Sequence, residues 1–340
     1  MTLREYMRSG RDDHVVELLA GWDGVAGAQS IVSAHDDCDR TLLHMAAAVG
    51  DAGLVRRLLA AGANVTAEDG HSSRTVLMDA ATSGDAETVE AVLSAAGGAS
   101  LADARDMYGR TALHMAALKG SGAAVRLLLA AGAVVPPGRR VRRTVLMCAA
   151  KSGDADAVDA VLSAGDAAQL EKRDADACTA LIYAAKGGSG AAVRRLLAAG
   201  ADASVADDVA GTTVLMYAVT SGDASAVDAV LASGRYGAVD ATDERGTTAL
   251  GHAALFQPFD ITGAGSRDGP SFRAAAVSLL RHGADPSAPA ASLESQPWRS
   301  YRLSAGDVQS LFGPRAQRWF RRRRLAQWRV AAVGGRGGSG

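Results

Sequence analysis

Aromatic residues make up only 4% of this 340-residue chain, although 48% of it is apolar. A single large core usually draws on aromatic side chains, which bury about 150–250 Å² each. Their scarcity points instead to thin layers of Leu, Ala and Val. Cysteine is scarce too: Cys38, Cys148 and Cys178 show neither a pairing pattern nor zinc-ligand spacing. That excludes a disulfide framework and suits a reducing compartment, so a cytoplasmic or nuclear location is expected. No apolar run reaches about 18 residues, so no membrane-spanning helix is expected. Met1 to Val16 is charged and lacks the apolar stretch of a secretory signal.

The motifs that announce chemistry are missing as well. There is no G-x-x-x-x-G-K-[ST] phosphate loop, and no G-x-G-x-x-G fingerprint follows a strand pattern. Gly187-Gly188-Ser189-Gly190 is glycine-rich but falls at a turn inside a repeated unit. No catalytic set, metal site or cofactor site emerges, and a non-enzymatic protein is expected.

What the chain does have is repetition. A Thr-x-Leu core begins at Thr41, Thr75, Thr111, Thr144, Thr179, Thr213 and Thr248, with steps of 34, 36, 33, 35, 34 and 35 residues (differences of the numbers). Leu falls two places after each Thr, from Leu43 to Leu250, and Ala five places after, from Ala46 to Ala253. Leu with a small residue three places on forms one face of a short helix. A second helix carries Leu58-Leu59, Val92-Leu93, Leu128-Leu129, Val161-Leu162, Leu196-Leu197, Val230-Leu231 and Leu279-Leu280. A pair of helices this short cannot bury enough surface alone, so the units must stack.

The best-preserved unit reads Asp106, Gly109, Thr111, Leu113, His114, Ala116, Ala117, then Leu128-Leu129 and Gly132-Ala133. The pattern resembles the ankyrin repeat over roughly residues 1–290. The resemblance implies an all-α ankyrin-repeat solenoid of helix-turn-helix units with short hairpin fingers. Residues 1–30 then form an incomplete N-terminal unit acting as a cap, with Gly21 to Ser33 as a linking loop. Seven repeats follow over 31–286, then a linker at 287–297, an Arg/Trp-rich helical tail at 298–333 and a flexible glycine-rich end at 334–340. Two features depart from the family pattern. The Pro that usually follows the Thr is replaced by Leu, Val or Ala, and the motif His survives only as His44 and His114. In the family this His ties neighbouring hairpins, so Met78, Met147, Ile182, Met216 and Gly251 leave that tie in question.

Two variants of the unit alternate. Those at Thr41, Thr111 and Thr179 end in Leu-Leu-Ala-Ala-Gly-Ala, while those at Thr75, Thr144 and Thr213 read Thr-Val-Leu-Met, then Ser-Gly-Asp. The latter recur every 69 residues, as duplication of a two-unit block would give. The last unit carries about 14 extra residues around Phe256 to Pro270 (35 positions from Thr248 to Gly283, against 21 from Thr41 to Gly62), either a local docking patch or a mobile loop.

The resemblance also implies a function, non-catalytic recognition of a protein partner through the fingers and the concave face. The residues it selects are Met107, Tyr108, Arg110, Lys119, Arg139, Arg140, Arg142, Arg143, Lys151 and Lys186. Arg precedes the Thr in four successive units (Arg40, Arg74, Arg110, Arg143), while the second helices carry acids such as Glu87, Asp156, Asp159 and Asp228. A solenoid cationic on the concave side and anionic on parts of the convex side would steer an acidic partner.

The net charge of −1 conceals a basic tail: residues 298–340 hold ten Arg and one Asp, +9, so the remainder carries −10. Trp319, Arg321, Arg322, Arg323, Arg324 and Trp328 are its candidate contact residues. Three readings compete: attachment to an anionic membrane or a nucleic acid, contact with a second partner, or packing on the last unit as a cap. An adaptor role in a ubiquitin-ligase-type complex is a further alternative, without any recognisable F-box or SOCS-box pattern.

Overall fold

The computed structural model describes residues 28–95, 97–135, 143–165, 169–255 and 269–284. Most of the N-terminal cap, the finger residues Arg139, Arg140 and Arg142, most of the insertion, the linker and the whole tail lie outside the described residues.

The segment Ala28–Val32 forms a short helix, α1, where the sequence suggested a loop. Ile31 and Val32 explain this, because both pack against the core beside the first full unit. Seven helix pairs follow. They are α2 (Leu42–Val49) with α3 (Ala52–Ala60), α4 (Val76–Ser83) with α5 (Ala86–Ser94), α6 (Ala112–Lys119) with α7 (Gly122–Ala130), and α8 (Val145–Ser152) with α9 (Ala155–Ala164). Then come α10 (Ala180–Lys186) with α11 (Gly190–Ala198), α12 (Val214–Thr220) with α13 (Ala224–Ser233), and α14 (Ala249–Leu255) with α15 (Gly269–Arg281). The first helix of each pair packs on the first helices of the units before and after it, and the second helices do likewise. Among the described residues no strand forms; isolated bridges such as Glu68 to Thr75 and Thr242 to Thr248 close the hairpin fingers.

Every inner helix starts at one of the seven threonines. The Thr hydroxyl accepts the backbone N–H three residues on in the units of Thr75 (3.3 Å), Thr144 (3.2 Å), Thr179 (3.4 Å), Thr213 (3.3 Å) and Thr248 (3.1 Å). In the other two units the motif His joins the cap. Thr41 N–H donates to His44 Nδ1 at 3.2 Å, and Thr111 N–H to His114 Nδ1 at 3.2 Å. In two of the three units where Met replaces His, its sulfur takes over part of this duty: Thr144 N–H points at Met147 Sδ (3.4 Å) and Thr213 N–H at Met216 Sδ (3.5 Å). The residue in the place of Pro is an apolar side chain driven into the core. Val76, Ala112, Val145, Ala180 and Val214 are completely buried there.

In the two later blocks the alternation of units has a stereochemical basis at the outer-helix starts. Asp154 accepts from Asp156 N–H with Oδ1 and from Gly122 N–H, in the preceding unit, with Oδ2 at 3.0 Å. Asp223 repeats this with Ser225 N–H and Gly190 N–H (3.2 Å). One carboxylate thus satisfies orphan donors of two helices. The approach leaves no room for a side chain: a Cβ on Gly190 would lie 2.2 Å from Ser225 Oγ and 2.6 Å from its carbonyl carbon. Gly190→Ala is therefore expected to destabilise by about 1–3 kcal/mol as overpacking, despite the helix preference of Ala. Gly53→Ala, at a site that faces only the Asp51 carboxylate, should be neutral or stabilising. Urea unfolding of both variants checks the contrast.

Some of the outer-helix acids are paired across units. Glu87 meets Arg56 of the preceding unit at 3.8 Å, and Asp159 meets Arg195 of the following unit at 3.2 Å. Asp228 accepts from the Ser278 hydroxyl.

Candidate protein-binding surface

The concave side is built from the fingers and the inner helices. Six fingers start on an aspartate whose Oδ1 accepts backbone N–H groups of the turn; Asp36, Asp106 and Asp174 do so at 2.8–3.0 Å. Backbone bonds then link finger to finger, with Gly70 N–H donating to Cys38 O, Met107 N–H to Ser72 O and Glu244 N–H to Ala210 O.

The second aspartate oxygen meets a different partner in each unit, and this decides which cations are spent. Asp106 Oδ2 takes Arg110 Nε at 2.7 Å, and the guanidinium also lies 4.8 Å from the Tyr108 ring centre. Arg74 turns instead to Asp79 of its own inner helix, at 2.6 Å. Burial raises the Asp79 pKa, while Arg74 opposes the rise. Asp174 Oδ2 and Asp207 Oδ2 accept from the hydroxyls of Tyr183 and Tyr217, and Asp243 Oδ2 pairs with His252 Nε2 at 3.0 Å. Burial, then the bond to Asp174, pushes the Tyr183 phenol up to about 12.

In sequence Arg139 stands where other fingers carry their aspartate, and Arg143 leans forward onto the next unit. Its Nε donates to Tyr183 Oη at 2.6 Å, and its guanidinium lies 4.9 Å from that ring centre. Lys186 repeats the arrangement one unit further on, with Nζ 5.3 Å from the Tyr217 ring centre. Lys119, Lys151 and Lys186 stand exposed on the last turns of α6, α8 and α10. The Lys119 stem is laid across Gly84 of the preceding unit. Among the described residues, Arg74 and Arg110 form ion pairs, whereas Arg143, Lys119, Lys151 and Lys186 form none.

Met107 and Tyr108 crown the third finger, 61% and 59% exposed, beside Arg110. Leu118, 42% exposed, occupies in α6 the place that Lys151 and Lys186 take in their helices. Neither Leu118 nor the ring partners Tyr183 and Tyr217 figured in the sequence-based selection. The tyrosines were legible as the residue four places after Thr179 and Thr213.

Burial pushes the thiols of Cys148 and Cys178 up to about 11, so neither is a thiolate at neutral pH. Among the described residues no group of three or more His, Cys, Asp and Glu is placed to hold a metal, and no helix is long and apolar enough to cross a membrane.

A family model for ankyrin repeats, three copies long, matches residues 7–102, 43–137, 134–207 and 181–263. The chain belongs to the ankyrin-repeat family. Its ankyrin array is also similar to the crystal structure of the human ASB11 ankyrin repeat domain, with a TM-score of 0.55 and 22% identity over 73% of this chain and 100% of that one. This likeness concerns the fold. A search of curated proteins finds no match. Ankyrin arrays are protein-interaction scaffolds, and the concave strip just described lies where such arrays present their fingers and inner helices.

Proposed function

We propose that the ankyrin array binds an acidic protein on the concave side of its third to fifth units and performs no chemistry itself. One observation carries the reading: among the described residues Lys119, Arg143, Lys151 and Lys186 form no ion pair, whereas Arg74 and Arg110 are neutralised locally. Unpaired cations on one face steer an anionic partner and fix its register. The exposed Met107, Tyr108 and Leu118 beside them supply the apolar anchors on which affinity depends. Arg139, Arg140 and Arg142 extend the basic finger in sequence. Three free thiols suit the reducing interior of a cell, cytoplasm or nucleus.

Proteins captured by the full chain should be lost, with affinity down about tenfold or more, when Lys151→Glu and Lys186→Glu are combined. Glu90→Lys, on the convex side, should retain them. Capture that is indifferent to the lysine reversals, or equally sensitive to Glu90→Lys, would remove the concave face as the binding surface.

A further inference from the structure

We propose that the concave strip is shaped for an extended acidic segment in the polyproline II conformation, with a carboxylate at every third residue. The inference rests on the reading above and specifies the partner's chemistry. Lys119, Lys151 and Lys186 provide one exposed cation per unit on the last turns of three successive inner helices, α6, α8 and α10. These helices pack directly on one another, and packed helices lie about 8–10 Å apart. Lys151 and Lys186 hold the same place in their helices and so rise at roughly that repeat, while Lys119, one place further along α6, is laid toward the preceding unit.

A polyproline II chain has three residues per turn and rises about 3.1 Å per residue, so residues three apart share one face at about 9.3 Å. A β-strand returns to the same face every two residues, about 6.6–6.8 Å, and misses that repeat. An α-helix matches at seven residues, about 10.5 Å, but is about 10–12 Å wide. The lining favours the thinner chain. The Tyr108 ring stands exposed at the strip's edge, and the Tyr217 ring, partly exposed, sits under Lys186. Aromatic faces of this kind accept the rings of a proline-rich segment. Arg143 and Lys186 are already oriented by Tyr183 and Tyr217, so little side-chain freedom remains to be lost on binding. The chain's own segment 298–340 carries +9 and is repelled by the same cations, which makes the occupant a separate, acidic chain.

The probes are three synthetic peptides titrated into the full-length protein: Leu-Pro-Pro followed by three Glu-Pro-Pro triplets, the same composition with its three Glu adjacent, and an alanine-based helical peptide with Glu at every seventh residue. The triplet peptide is expected to bind about tenfold or more tightly than the clustered one. That advantage should disappear in Lys151→Glu/Lys186→Glu, and shrink in Lys151→Gln/Lys186→Gln, with circular dichroism melting unchanged. Equal affinity for triplet and clustered peptides, a preference for the helical peptide, or no binding to any of the three each overturns the proposal. Loss of the lysine-dependent capture described above would instead remove the concave-face reading itself, so the two failures are told apart.

Discussion

Leu146→Ala is expected to cost about 2–5 kcal/mol and to split a single unfolding transition into two. Leu146 is 1% exposed on α8, the inner helix of the fourth of seven units. Helix α8 touches only its partner α9 and the neighbouring inner helices α6 and α10 among its larger contacts. Stability in such an array is close to a sum of weak unit terms and strong nearest-neighbour terms. A cavity in the middle weakens both interfaces of the fourth unit at once. The flanking blocks then lose their coupling and unfold at different denaturant concentrations. Leu250→Ala removes the equivalent side chain, 5% exposed, from the last unit. There it weakens one end, and the main transition should remain single with a smaller shift. Urea unfolding followed by far-ultraviolet circular dichroism, with the slope of each transition compared, separates the outcomes. A single transition with the same loss in both variants would contradict nearest-neighbour coupling.

The architecture was legible because each unit is too thin to hide its logic. Thr caps, Leu two places on and Ala five places on all follow from packing one short helix against two neighbours. Residues 33–36 apart therefore had to match. The two-unit period was equally visible, but its cause was not. Asp154 capping Gly122 and Asp223 capping Gly190 join residues 32 and 33 apart, across an interface that only folding brings together. The helix at Ala28–Val32 was missed because five residues carry no period to read.

The candidate surface was legible in part. Exposure of Met107 and Tyr108 at a finger tip followed from their register. The four Arg before the threonines looked equivalent, since the same residue type recurred at the same place. What distinguishes Arg74 and Arg143 lies elsewhere in the unit or in the next one. Asp79, four places after Thr75, neutralises Arg74, whereas Tyr183, four places after Thr179, holds Arg143 without cancelling its charge. Charge in this array is thus decided by the partner of each cation, which linear spacing does not reveal.

The same dependence on partners makes the array acid-sensitive, and His44→Met with His114→Met is expected to remove most of that sensitivity. Both histidines are buried, and Nδ1 of each already accepts the N–H of its capping Thr. The neutral ring therefore carries its proton on Nε2, which lies toward the backbone of the next finger, Arg74 for His44 and Arg143 for His114, short of full hydrogen-bond geometry. Protonating Nδ1 would set two donors against each other inside the core. Burial lowers the pKa of His44 and takes that of His114 from 6.5 to about 4, with Arg105 adding to the second effect. Between those values the unfolded chain binds a proton that the folded chain refuses. Stability is fully present above pH 6.5 and falls as pH drops toward 4, by about 3 kcal/mol from His114 alone, with His44 adding in the same direction. Asp79, whose carboxyl burial raises, opposes the trend in acid. Methionine is the array's own substitute, since Met147 and Met216 already place sulfur at the capping N–H. The double variant should therefore fold, be somewhat less stable at pH 7.5 through its weaker caps, and show a flatter urea midpoint between pH 6.5 and 4 than the parent protein. Parallel pH curves for the two proteins would mean that the buried imidazoles are not what acid attacks.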